Sequence, residues 1–245
     1  LFTTLYFMYD TTSWTLDFPS HTNKNIDHIA QYMDNIDLEI TKQNSLGENY
    51  TSIKGYKDGY TVYVNPYRMN TSNFSVAKSC FESSAQNPTI KEVQQTIENL
   101  NDTWHHNIEE AKVNRLDLGL TLATSSEPFN YLINFGDAPR HTKNIIHGSV
   151  YYEQKDLTTN FYDKKVAMES KKQIIPPALI GKELLRCEVR LRRGAKKLVS
   201  KGKFSLNQLY TSNFYNRCLE LLLDRYKLIH KLNYNMDKSI FTDSI

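Results

Sequence analysis

Apolar positions along the chain recur with two periods, two and roughly three and a half, and each period predicts its own kind of element. Where they alternate, a strand is expected, because successive side chains of a strand point to opposite faces. In "NRLDLGL", Leu116, Leu118 and Leu120 take one face while Arg115 and Asp117 take the other. In "LLRCEVRLRR", Leu185, Cys187, Val189 and Leu191 oppose Arg186, Glu188, Arg190 and Arg192. In "NFYDKK", Phe161 opposes Asn160, Tyr162 and Lys164. Further strands are expected at "TTLYFMY" (3–9), at "DLEITKQ", and in the pair "YTSIKGYK" and "YTVYVNP", which the Asp58-Gly59 turn signal divides.

The longer period marks helices. Residues 25–33, "NIDHIAQYM", predict a short one with Ile26, Ile29, Ala30 and Met33 on one side. A long helix is expected to open at Asn87-Pro88, with Asn as cap and Pro in the first helical position. Its stripe is Ile90, Val93, Ile97, Leu100, Trp104 and Ile108, which leaves His105 and His106 on the solvent side. A second amphipathic helix is predicted near 213–233, with Tyr215, Leu219, Leu222, Tyr226 and Ile229 as its stripe. The expected fold is α+β: an antiparallel sheet with long amphipathic helices on one face and a charged face on the other. Residues 1–237 read as one domain, with 1–50 as a candidate peripheral N-terminal part. Residues 238–245 read as a tail or the start of a further segment.

Composition narrows the class. At 245 residues, 40% hydrophobic and 23% charged, the chain has the make-up of a soluble globular domain with a sizeable core. No apolar run approaches the roughly 20 residues of a membrane span, and the first twenty residues lack a signal peptide's pattern. Cys80, Cys187 and Cys218 are few and far apart, which fits a reducing compartment and neither a disulfide framework nor a cysteine zinc site. The net charge of +3 is small, but its distribution is uneven. The segment "RCEVRLRRGAKKLVSKGK" (186–203) is strongly basic, while the first forty residues are acid-rich. A local basic stripe is either a solvated face or the footprint of a polyanion, nucleic acid first.

One strand showing alternating charge is ordinarily the wet face of a sheet. Three such strands side by side would gather Asp117, Glu188, several guanidinium groups, Lys164 and the phenol of Tyr162. Carboxylates with oxygen-only company suit a hard divalent cation such as Mg2+ or Mn2+, and the Arg and Lys side chains suit a phosphate. A tyrosine in that company is a candidate nucleophile toward phosphorus. A free phenol has a pKa near ~10, so the reading expects Lys164 and a cation to lower it.

The order "RLDLGL", then "NFYDKK…E", then "LRCEVRLRR" resembles the rolling-circle replication initiators. Two groups share it: the trans-acting initiators of small plasmids and the gene II-like replication proteins of filamentous phages and related plasmids. The resemblance covers roughly residues 55–230, including "YTVYVNPYRM" and the helix after it. It implies that 1–237 form a nicking domain that opens one DNA strand at an origin through a 5′-phosphotyrosyl intermediate. Tyr162 would be the nucleophile and Lys164 its partner. Asp117 and Glu188 would bind the metal with Glu169, which stands seven residues after the tyrosine where relatives often carry a glutamate five residues on. Arg115, Arg186, Arg190 and Arg192 would hold the DNA backbone, with Lys196 and Lys197 at the rim. The implied partner is single-stranded or supercoiled origin DNA in a bacterial cytoplasm, with no membrane; a host helicase and a homodimer stay open. So do a mobilisation relaxase or transposase-like nickase, a water-using metal nuclease and a DNA-binding protein without chemistry. Tyr210 and Tyr215 are rival nucleophiles better explained by packing, Tyr151 and Tyr152 read as cross-strand packing, and His141 and His147 as loop residues.

Overall fold

The computed structural model describes residues 8–20, 22 and 24–232. The first half runs β1 (Met8–Asp17), α1 (Lys24–Ala30), β2 (Asn35–Gln43), β3 (Asn49–Lys57), β4 (Tyr60–Asn65), β5 (Arg68–Ser72), α2 (Val76–Phe81) and α3 (Ile90–Trp104). The second half runs β6 (Lys112–Thr124), α4 (Pro128–Leu132), β7 (Thr142–Ile146), β8 (Ser149–Gln154), β9 (Leu157–Asp163), α5 (Lys164–Ser170), β10 (Glu183–Arg192) and α6 (Ser212–Lys227). A 3-10 turn at Arg193–Leu198 follows β10. The strands form one antiparallel sheet in the order β2-β3-β4-β5-β1-β6-β10-β9-β8-β7. The fold is α+β, with a large antiparallel sheet and several helices. Among the described residues no helix is long and apolar enough to cross a membrane.

Local chemistry explains the turns and caps. Asp58 and Gly59 both take positive φ, 47° and 78°, the backbone a tight hairpin with right-handed strand twist needs between β3 and β4. The N-terminus of α3 differs from expectation. Its cap is Thr89, whose hydroxyl accepts from Glu92 N while the Glu92 carboxylate accepts from Thr89 N, a reciprocal capping box. Asn87 instead bridges to the backbone of Thr121 on β6. Of the predicted stripe, Val93, Ile97, Leu100 and Trp104 are buried, Ile90 is partly buried, and Ile108 is buried beyond the end of the helix. The last helix is shorter than 213–233, and Cys218 and Leu221 are buried in it where Leu219 was expected.

Leu116, Leu118, Leu120, Phe161, Leu185, Cys187, Val189 and Leu191 belong to one buried cluster with the α3 stripe. Each large side chain so buried contributes about 1.5–3 kcal/mol before the entropy cost of folding is counted. Two expectations are corrected here. His106 is half-buried rather than on a solvent face: its ring packs 5.3 Å from Phe18 and 5.2 Å from His28, because the helix ends at His105, whose φ of 50° turns the chain inward. The second is corrected only in part: within 1–50, β1 lies inside the sheet between β5 and β6, while β2 is the sheet's exposed edge strand. Of the predicted strand 3–9, residues 3–7 lie outside the described residues, as does the tail 238–245.

Candidate active site

Antiparallel register sets the site out in rows across β6, β10 and β9. Thr121, Arg186 and Tyr162 form one row. Gly119, Glu188 and Asn160 form the next, and Asp117, Arg190 and Thr158 the one after. Residues directly opposite in such rows share a face, so alternation along each strand brings these groups together. Tyr162 Oη donates to Glu188 Oε1 at 2.6 Å. Arg186 Nε donates to the same oxygen at 3.2 Å, and Arg186 Nη1 to Thr121 Oγ1 at 2.9 Å.

Arg186 is fully buried, and Gly119 is the reason it fits. A Cβ on Gly119 would lie 2.0 Å from Arg186 Nη2, so the guanidinium occupies the space a side chain would fill. A buried guanidinium needs anionic company. Glu188 supplies part, and Asp10 supplies the rest through a 3.3 Å ion pair to Nη2. Asp10 reaches the site because the β1–β6 register shifts between Tyr9 and Thr11, which leaves Asp10 as the extra residue of a bulge. Bulges often re-aim a side chain beside a functional site. Sequence reasoning missed both Asp10 and Gly119. The one signal for Asp10 was an acid directly after a predicted strand, and for Gly119 a glycine in the middle of one.

The electrostatics follow from this crowding. Burial pushes the Asp10 carboxyl above the ordinary range, opposed by the Arg186 charge and reinforced by Glu188. Burial acts on Glu188 in the same sense, but the Arg186 charge and hydrogen bonds from Asp10 and Tyr162 outweigh it and hold Glu188 low. Below about pH 6 the pair holds one proton, which resides on Asp10, and above it both carboxylates are ionised against Arg186. The side chains around the phenol do not by themselves produce the expected lowering. Burial first, then the Glu188 charge, raises Tyr162 far above its usual range, so it is a neutral hydrogen-bond donor. Lys164 is not a strand residue but the first residue of α5, capped by Asp163. It is buried, with Nζ 3.1 Å from Ser84 Oγ and 5.9 Å from the Tyr162 ring centroid. Burial and the Arg186 charge lower it to about 8.

Other expected residues fall elsewhere. Asp117 is clamped by two arginines: Arg190 Nε at 3.0 Å and a bidentate Arg115. Its oxygens are therefore spent on guanidinium groups. Glu169 is exposed on α5, away from this group. Among the described residues no three His, Cys, Asp or Glu are placed to hold a metal ion together, so the expected trio of Asp117, Glu188 and Glu169 is not assembled. The carboxylates that do meet are Asp10 and Glu188. They share the single guanidinium of Arg186, whereas Asp117 has two, and two carboxylates are the number Mg2+ or Mn2+ commonly takes, with water and substrate phosphate completing the shell. Arg186 is inside rather than at a DNA-facing surface. Lys196 donates to Val113 O at 2.7 Å and lies over Phe204, so its charge is partly spent on the protein. Arg192 and Lys197 are exposed, and Arg115 and Arg190 are half-exposed.

The rival tyrosines are engaged in the fold. Tyr210 donates to Glu109, Tyr215 is buried against Tyr9, and Tyr152 is buried with its hydroxyl on Gly136 O. Tyr151 faces Asn160 across β8 and β9. His147 sits in the β7–β8 turn with φ 49°, and His141 bonds Pro139 O. A scan against protein-family models finds no match for this chain, and a search of curated proteins finds no relative.

Proposed function

We propose that the protein is a rolling-circle replication initiator that nicks and rejoins one DNA strand, with Tyr162 as nucleophile. The observation that carries this reading is the 2.6 Å hydrogen bond from Tyr162 Oη to Glu188, beside buried Arg186 and Lys164. In this reading helices cover one face of the sheet and the opposite face is catalytic. Glu188 takes the phenol proton as Tyr162 Oη bonds to the phosphorus, so no free phenolate is required. The P–O3′ bond breaks, and the proton taken up by Glu188 passes through water to the leaving 3′-oxygen, which restores the carboxylate. The 5′-phosphotyrosyl link keeps the phosphodiester energy, so a later 3′-hydroxyl can reverse the step and return the proton to the tyrosine. Arg186 keeps Glu188 ionised and aimed, and Lys164 adds positive charge below about pH 8. Arg115, Arg190, Arg192 and Lys197 give the DNA backbone a path along β10. Asp10 and Glu188 are the residues that would hold Mg2+ or Mn2+, which would supply charge neutralisation at the phosphate.

The test incubates the protein with labelled single-stranded and supercoiled origin DNA and Mn2+, followed by a denaturing gel. A DNA-linked protein band that is absent with Tyr162→Phe supports the reading. Cleavage without a linked band would mean a water-using nuclease. The raised pKa of Tyr162 favours a second reading, a DNA-binding sheet without chemistry, in which Tyr162→Phe binds as before and neither protein cuts.

A further inference from the structure

Beside the tyrosine row lies a cleft of about 470 Å3, within the size range of small-molecule sites. Thr121, which accepts from Arg186 in that row, forms part of its wall, and so do Ala123 and Leu184, the pair one row further along the same strands. Two residues of strand advance about 6.6 Å, comparable to the reach of one extended nucleotide. The remaining walls include Phe81, Gln86 and Asn87, from α2 and the segment after it. That same segment touches the nucleophile's surroundings, because Ser84 accepts from Lys164 Nζ.

The lining chemistry selects the ligand class. Among the described residues no Lys, Arg or His lines the cleft, so none of them holds a phosphate there. Glu92, the one charged residue of the described lining, is committed to the Thr89 capping box. What remains is an aromatic ring, aliphatic walls and the Gln86 amide, which has no hydrogen-bond partner among the described residues. A flat, neutral group with donors and acceptors on its edge fits such walls. Resting on the nicking reading, we infer that this cleft takes the extruded base of the nucleotide next to the scissile phosphate, with Gln86 reading its edge. Phosphates alone carry no sequence information, so the cleft would let the enzyme choose where it cuts.

The test needs binding and no cleavage. The full chain, without added metal, is irradiated with a mixed-sequence single-stranded oligodeoxynucleotide carrying 5-bromouracil, and crosslinked peptides are identified by mass spectrometry. The expected crosslink lies in the tryptic peptide 79–91, which holds Phe81, Gln86 and Asn87. Ala123→Trp fills the cleft from an exposed position and should cut that crosslink and the affinity by roughly tenfold, the loss of one stacked base. Gln86→Ala should keep the crosslink but weaken any base preference. Crosslinks confined to other peptides, or a crosslink in 79–91 unchanged by Ala123→Trp, overturn the inference. A Tyr162 adduct without this crosslink sinks the cleft alone. A crosslink without an adduct upholds the cleft as a base site and sinks the nicking reading.

Discussion

Arg186 has no solvent to stabilise it, so its neighbours must, and they are the same groups that orient Tyr162. Arg186→Ala should therefore cost about 3–5 kcal/mol in urea unfolding, because Glu188 is left buried with less compensation. Gly119→Ala is the subtler probe. Its new Cβ pushes the guanidinium aside, so covalent adduct should be lost while stability falls by only about 1–3 kcal/mol. A full-strength adduct in Gly119→Ala would contradict the role given to Arg186. His106 supplies a pH dependence. Burial, then the charges of His28 and His105, lower its pKa below the ordinary 6.5. The unfolded chain thus binds the proton more readily than the folded one. Stability from the neutral ring is present above 6.5 and lost as pH falls through 6.5 toward the lower folded value. Asp10, raised by burial to about 6, acts in the opposite sense over the same window, so the variant is the test: His106→Phe should raise the urea midpoint at pH 5.5 relative to that at pH 7.5. At this scale the sequence made Tyr162 and Glu188 legible, because strand alternation sets their face. Asp10 was not, because a bulge breaks the very alternation by which faces are read.

The elements themselves were legible where period and punctuation agreed. The Asp-Gly hairpin and the stripe of α3 stand as expected, since turn chemistry and apolar spacing act locally. The start of α3 was misjudged because Asn-Pro and Thr-x-x-Glu compete as start signals two residues apart. The reciprocal box satisfies two backbone donors, and Asn87 is drawn off to β6. Thr89→Ala should then cost about 1 kcal/mol of stability, against little for an Asn87 change that keeps a bond to Thr121. Thermal melts of the two variants would compare them directly. Lys164 was misplaced for a related reason. Asp163 ends β9 by capping α5, which swings the lysine inward to Ser84 instead of along the strand.

At the scale of the molecule, strand order is what a single sequence does not carry: β1 enters the middle of the sheet from the far end of the chain because long-range pairing, not local pattern, decides neighbours. That insertion completes the carboxylate pair. The exposed basic side chains of Arg192 and Lys197, with half-exposed Arg115 and Arg190, predict salt-sensitive binding of single strands. With about three to four phosphates engaged, log K should fall against log salt with a slope of roughly −2 to −3. A slope near zero would remove the path along β10. The central claim is that Tyr162 forms the covalent bond. The most direct measurement digests the trapped DNA–protein adduct with nuclease and trypsin and locates the nucleotide mass by tandem mass spectrometry. The account predicts it on Tyr162, in the tryptic peptide 156–164. A nucleotide on Tyr210 or Tyr215, or strand cleavage with no modified tyrosine at all, would contradict it.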